Sequence, residues 1–310
     1  MLHLETSNTG HHRFKEKTKF FGFSNPYDLL IDLSQDQIFV CESGSKSIKV
    51  FDLNSRELKY TIQVNGEPFY IDLDPIDSEI VFGTSTCTVC KYSLFGKLIW
   101  EVGAPGSNNG QFDLPSGIAI DLKSSHKNIF VCDQGNSRIQ VLDRHGNFLR
   151  TFGKYGTGDL CFNYARYITI GNNDHLYITD RYNHRIQVVT KEGQFISAFG
   201  EVGSGDGQLM EPCCCCVDRI TGNIFVSDSQ NNRIQVFTPL GRFVESIEGV
   251  SYPLGMSLNE RTGDLYVSEW VSSSISVLKD SQFDSKRNFL FKKLLREGSE
   301  RYCDLNIQIL

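Results

Sequence analysis

The sequence predicts an all-β chain: a six-bladed β-propeller with four antiparallel strands per blade and a short C-terminal extension. Three observations predict it. A unit of fewer than fifty residues recurs along the chain. Each copy holds four short runs rich in Ile, Val, Phe and Leu, separated by turn residues. No stretch carries a sustained helical apolar period to compete with that pattern.

The repeat is plainest in NIFVCDQGNSRIQVLDRHGNFLRTFG (128–153), HLYITDRYNHRIQVVTKEGQFISAFG (175–200) and NIFVSDSQNNRIQVFTPLGRFVESI (223–247). Fainter copies are QIFVCESGSKSIKVFDL (37–53) and DLYVSEWVSSSISVLKD (264–280). A sixth, EIVFGTSTCTVCKYSLFGKLIW (79–100), keeps the strand pattern and loses the polar signature. The acid closing each apolar run, or its counterpart, is Glu42, Thr84, Asp133, Asp180, Asp228 and Glu269, spaced 41 to 49 residues apart. That is the length of one four-stranded blade.

The third unit shows the strands in order: SGIAID (116–121), NIFVCD (128–133), RIQVLD (138–143) and FLRTFG (148–153), here called a to d. The c–d turn carries Gly96, Gly146, Gly193 and Gly241, where a tight hairpin needs a positive φ. A lone blade would leave both faces wet, so the copies must stack into a ring.

The ring occupies residues 14–284, after a flexible segment at 1–13 and before an extension at 285–310 packed on or beside the last blade. Its closing strand comes from one of two places. KTKFFGF (17–23) resembles the outer strand FLRTFG and directly precedes the first unit, which favours it over KRNFLF (286–291). FLFKKLLR (289–296) reads as a short amphipathic helix.

Composition narrows the class. Hydrophobic residues make up 40% of the 310 positions, enough for a packed core, and the net charge of −6 gives no general attraction to phosphate backbones or anionic membranes. No apolar run approaches the roughly 20 residues that span a bilayer, and MLHLETSNTGHH lacks the apolar stretch of a secretory signal. The expectation is a cytoplasmic, monomeric propeller whose ten cysteines are free thiols.

The pattern [IL]-[FY]-[VI]-x-D-x-x-N-x-R-[IL]-Q-V, with an upstream Pro and a downstream Gly-x-Phe, resembles the NHL repeat, of the kind found in tripartite-motif proteins. Units three, four and five carry it in full: Asp133-Asn136-Arg138, Asp180-Asn183-Arg185 and Asp228-Asn231-Arg233. Units one and six match the strand pattern and the acid, and unit two matches least. These residues are expected to be structural. The Arg bridges back to the carboxylate across the b–c turn, and the Asn takes the left-handed turn position.

A search for chemistry finds none, so the chain is read as a non-enzyme without metal or organic cofactor. Amidating lyases of similar fold place histidines on channel strands, whereas His126, His145, His175 and His184 fall in or beside turns. Cys87 and Cys90 have metal-ligand spacing but lie in a run read as extended, where residues three apart face opposite ways. Cys213-Cys214-Cys215-Cys216 replaces the small residues of an innermost strand and reads as packing at a crowded axis, or else as an oxidisable spot. The glycine-rich stretches at 103–112, 153–162 and 200–209 recur at one blade position, as interblade loops do and phosphate cradles do not.

In a propeller the d–a and b–c loops share one face. Around unit four that face should gather Lys154, Tyr155, Tyr164, Arg166, Tyr167, Arg181, Tyr182 and His184, and basic residues outnumber acids between 150 and 191. Aromatics with arginine suit a protein or peptide interface. They also suit single-stranded RNA, which some NHL propellers bind there. A ubiquitin-ligase-associated adaptor role follows only by analogy with tripartite-motif ligases, and an amidating-lyase-like or other hydrolytic activity is the least favoured alternative.

Overall fold

The computed structural model describes residues 4–8 and 14–280. Six blades form the ring. Their strands run from the axis outward as Pro26–Asp32, Gln37–Glu42, Ser47–Asp52 and Leu58–Gln63 in blade one; Pro68–Asp74, Glu79–Thr84, Val89–Ser93 and Leu98–Val102 in blade two; and Pro115–Ile120, Ile129–Asp133, Arg138–Leu142 and Phe148–Phe152 in blade three. Blade four is Ala165–Ile170, Leu176–Asp180, Arg185–Val189 and Phe195–Phe199. Blade five is Pro212–Val217, Ile224–Asp228, Arg233–Phe237 and Phe243–Ile247. Every pairing within a blade is antiparallel. The innermost strands neighbour one another in sequence order, and Pro253–Leu258 of blade six packs against Pro26–Asp32 of blade one, so the circle is closed.

Blade six is completed from the N-terminus. Pro253–Leu258, Leu265–Glu269 and Ser274–Asp280 are followed outward by Phe14–Phe20, paired antiparallel to Ser274–Asp280. The closing strand thus starts three residues earlier than KTKFFGF. Leu4–Asn8, within the segment the sequence assigned to flexibility, adds a fifth strand to the edge. The proposed helix at 289–296 and the rest of the C-terminal extension lie outside the described residues.

The apolar core is divided among the junctions. Most buried clusters draw on two adjacent blades: Phe39, Ile48, Phe82 and Cys90 join blades one and two, and Phe130, Ile139, Ile168 and Ile178 join three and four, while the cluster between five and six also takes in Tyr70 of blade two across the axis. Burying one such side chain contributes about 1.5–3 kcal/mol. Those contributions exist only when blades stand side by side, which ties stability to ring closure. The four hairpin glycines adopt positive φ, 83° at Gly96 and 89° at Gly193.

The Asp-Asn-Arg sets are clips between loop and blade. Asp180 accepts the Asn163 N–H of the preceding d–a loop at 2.7 Å, Arg185 Nε at 2.8 Å, Gln187 Nε2 at 3.0 Å and the Asn183 amide at 2.9 and 3.0 Å. Arg185 continues to the Gly158 and Cys161 carbonyls of the same loop. Asp133 and Asp228 repeat the arrangement with Arg138 and Arg233. The asparagine does not take the left-handed position. That falls to the next residue, Ser137, His184 or Asn232. The side chains of Asn136, Asn183 and Asn231 instead donate to the carboxylate and to the Gly106, Gly156 and Gly203 carbonyls.

In blade six the counterpart acid is Glu269, fully buried, and the position of the arginine is Ser274. Its cations come from the closing strand: Lys17 and Lys19 meet the two carboxylate oxygens at 2.8 and 2.7 Å. Lys17 also donates to the Gly249 carbonyl in the preceding d–a loop, as the arginines do elsewhere. The closing strand is therefore held by buried charge as well as by its ladder.

Candidate functional site: the loop-rich face and the mouth of the axis

The d–a loops and b–c turns do share a face, as their hydrogen bonds require: Arg181 N–H donates to the Tyr164 carbonyl, Tyr182 N–H to Asn163 and Gly135 N–H to Asp113. The three glycine-rich stretches are its long d–a loops. Each is closed by a parallel bridge: Pro105 with Phe112, Lys154–Tyr155 with Cys161–Phe162, and Val202 with Leu209. Phe112, Phe162 and Leu209 are fully buried and anchor the loops between blades. The residue across each bridge stays outside, and Tyr155 is 74% exposed.

The eight residues gathered on this face by the sequence separate into layers. Lys154 and Tyr155 are on the exposed loop. Tyr164 and Tyr182 are in tilted ring contact with centroids 4.9 Å apart, and the Arg181 guanidinium lies 4.9 Å from the Tyr182 ring. Arg181 is also paired with Glu211 at 2.6 Å and reaches the Tyr252 hydroxyl at 3.4 Å. His184 is structural here, since its Nδ1 accepts the Glu211 N–H. Arg166 and Tyr167 leave the loop surface and enter the axis.

A local feature sends them there. Innermost strands begin with a proline, or with Ala165 in blade four, and the ladder shifts just after it, between Pro68 and Ile71 in blade two and between Ala165 and Tyr167 in blade four. Proline suits a site whose N–H has no ladder partner, and the bulge re-aims the next side chains. At these positions stand Tyr27, Tyr70, Arg166 and Tyr167. Arg166, only 6% exposed, donates from Nε to the Tyr70 hydroxyl at 3.0 Å and from Nη2 to the Tyr27 hydroxyl at 2.7 Å. Tyr70 donates in turn to the Cys213 carbonyl across the ring at 3.3 Å. Tyr70 and Tyr167 are in edge contact at 4.9 Å, as are Tyr27 and Trp270 at 6.1 Å. Residues of blades one, two, four, five and six thus plug the axis on this side.

Deeper in the axis, burial pushes the Asp28 carboxyl up to about 8 and that of Asp72 to about 6. Each accepts one backbone N–H from the next blade, Ile71 for Asp28 and Ile120 for Asp72. One oxygen of Asp28 has no partner among the described residues.

Cys213, Cys214 and Cys215 are fully buried, and burial pushes the thiols of Cys214, Cys215 and Cys216 up. Cys87 lies in the blade-two turn at φ 61°, not in an extended run, because the b–c turn needs a left-handed residue there. Cys90 is a buried strand residue whose thiol burial raises to about 12. Among the described residues, Asp74, Asp77 and Glu79 offer clustered oxygens, but Lys127 holds both aspartates at 2.7 and 2.8 Å and Lys91 holds Glu79.

Comparison with known proteins agrees with this geometry. The NHL repeat family model matches residues 162–189, which run from the loop anchor Phe162 through the Asp180 clip to strand c of blade four. The six-bladed β-propeller thus carries a matched NHL repeat in blade four. A relative, "Protein brain tumor" of Drosophila melanogaster, is 32% identical over 84 residues, which is 27% of this chain and 7% of that protein. Two solved structures share the propeller fold. Virginiamycin B lyase from Staphylococcus aureus is 14% identical, with a TM-score of 0.60 over 90% of this chain and 99% of that one. Kuenenia stuttgartiensis hydrazine synthase is 11% identical, with a TM-score of 0.63 over 90% of this chain and all of the other. At such identities the likeness concerns fold alone. Among the described residues, no helix is long and apolar enough to cross a membrane.

Proposed function

We propose that this NHL propeller is a non-enzymatic, cytoplasmic binding platform that recognises a protein or peptide partner through its loop-rich face. The observation that carries the reading is that this face exposes aromatic side chains on loops and turns tied down by the buried clips. Tyr155, Tyr182, Val202, Trp270 and Val271 are all exposed on loops and turns that the clips hold rigid. Aromatic anchors on a pre-ordered frame are what interface hot spots require, because little ordering entropy opposes binding. A place beside a ubiquitin ligase rests on the likeness to tripartite-motif proteins alone.

Single-stranded RNA is the second reading, and the exposed Tyr155 and Tyr182 suit base stacking. The surrounding loops expose Asp113, Asp159, Glu201 and Asp206. Affinity capture of tagged protein with and without nuclease tests the choice. The platform reading expects captured protein to survive nuclease and to be lost from a Tyr155→Ser/Tyr182→Ser variant of unchanged melting temperature. Loss on nuclease treatment alone overturns it in favour of RNA.

A further inference from the structure

Arg166 is the feature the platform reading leaves unexplained. It is a buried guanidinium whose hydrogen-bond partners, Tyr27 and Tyr70, are neutral hydroxyls. No carboxylate among the described residues forms an ion pair with it. A buried cation normally has a counter-charge, because removal from water costs several kcal/mol that neutral dipoles offset only in part. Arg233, the other buried arginine among the described residues, meets Asp228 at 2.7 Å, and the half-buried Arg138 and Arg185 meet an aspartate at 2.7 and 2.8 Å; Arg56 and Arg150 form no ion pair among those residues but are less deeply buried than Arg166. Arg166 Nη1 has no protein acceptor among the described residues and is not sealed from solvent.

Several groups around it are also incompletely used. The Tyr27 hydroxyl accepts from Arg166 and has no acceptor for its own proton among the described residues. Arg181 uses Nη2 on Glu211 and Tyr252, while its buried Nε has no acceptor. Arg166 and Arg181 are close enough to repel one another electrostatically. Trp270, 37% exposed, packs on Tyr27 at the rim. Two guanidinium groups and a free hydroxyl proton, walled by aromatic rings at the mouth of a closed axis, form a donor set for one small anion.

We propose that the mouth of the axis binds a carboxylate of the partner, an Asp or Glu side chain or a free C-terminus, with Arg166 as its principal cation, Tyr27 and Arg181 as further donors and Trp270 as the apolar rim. The proposal rests on the platform reading and deepens it by naming the anchor. A planar carboxylate matches a guanidinium fork, and desolvated charge-assisted hydrogen bonds of this kind are roughly twice as strong as neutral ones. A peptide delivers that single charge without a chain of phosphates, which the exposed Asp113, Asp159, Glu201 and Asp206 would repel.

The test uses two random dodecapeptide libraries, one with blocked and one with free C-termini, selected against the full chain. The expected result is enrichment of peptides with Asp or Glu at one fixed position, or of free C-termini only. The two patterns distinguish the sources. A selected peptide should lose at least tenfold in affinity on Glu→Gln substitution or C-terminal amidation. It should lose a similar factor on Arg166→Met, with no further loss when both changes are combined. Tyr27→Phe keeps the ring and removes both the free proton and an acceptor for Arg166, so it should weaken the same peptide severalfold in a protein still folded by circular dichroism, even if Arg166→Met fails to fold. Enriched peptides that need no carboxylate and ignore Tyr27→Phe would overturn the proposal and leave the platform reading intact. An absence of any enriched peptide overturns both. Binding of polyuridylate that is weakened by Tyr27→Phe also overturns the proposal, since the anion would then be phosphate.

Discussion

Replacing Asp180 by alanine removes the acceptor at the centre of the blade-four clip. The Asn163 N–H then has no partner, and Asn183, Arg185 and Gln187 each lose one. Breaking a buried ion pair from one side costs about 3–5 kcal/mol. The lower end applies here, because Arg185 is partly exposed and keeps the Gly158 and Cys161 carbonyls, while Gln187 keeps Cys161. A loss of about 3 kcal/mol corresponds to a melting temperature lower by roughly 6 °C for a domain of this size, at about 2 °C per kcal/mol. Circular dichroism melts and urea titration measure it. Asp228→Ala should cost at least as much, since Arg233 is more deeply buried than Arg185. Thr84→Ala, which removes only a hydroxyl from the blade-two network, should cost about 1 kcal/mol. A change below 1 °C in Asp180→Ala, accompanied by loss of partner binding, would refute the structural reading of the repeat and make the Asp-Asn-Arg set a binding motif.

Three further outcomes are expected. Lys17→Met leaves the buried Glu269 with Lys19 alone, and the double change with Lys19→Met strands its charge; melting temperatures should fall in that order, and Glu269→Gln added to the double variant should restore part of the loss. Asp28 titrates near 8 when folded and near 4 when unfolded, so the native state binds the extra proton between those values and stability should fall as pH rises from about 4 to about 8, by roughly 5 kcal/mol at most. Urea midpoints across that range should flatten in Asp28→Asn. A thiol reagent added to folded protein should modify the partly exposed Cys87 and Cys161 first and spare Cys213, Cys214 and Cys215 until unfolding; rapid labelling of those three would show that the axis opens.

The blades were legible in the sequence because each strand is short, apolar and bounded by turn residues, and because the three full motifs fix the repeat length. Closure by the N-terminal strand was legible too, in the likeness of KTKFFGF to FLRTFG. The Lys17 and Lys19 bond to Glu269 was not, since it joins residues about 250 positions apart and replaces an arginine that blade six lacks. Nor was the role of the motif asparagine: its side-chain bonds reach a loop some 30 residues away, and proximity in sequence suggested a backbone role instead. At the site, the aromatic and basic residues near unit four were found by composition, but their layering was not. Whether Arg166 faces the loops or the axis depends on a ladder shift at Ala165, and alternation along a strand cannot place such a shift. Tyr27, Tyr70 and Trp270 were missed because they come from blades one, two and six, which the weak repeats made least readable.

In the proposed binding mode a partner engages the d–a and b–c loops around blades four to six while side chains keep the axis shut. Hydrogen–deuterium exchange on the full chain, with and without a selected peptide, tests it most directly. Slowed exchange is expected in 153–164, 181–184 and 200–211 and at Trp270, with strand-a amides such as Ile71 and Ile120 unchanged. Protection confined to the a–b turns on the opposite face, or along the innermost strands with the loops unaffected, would contradict it.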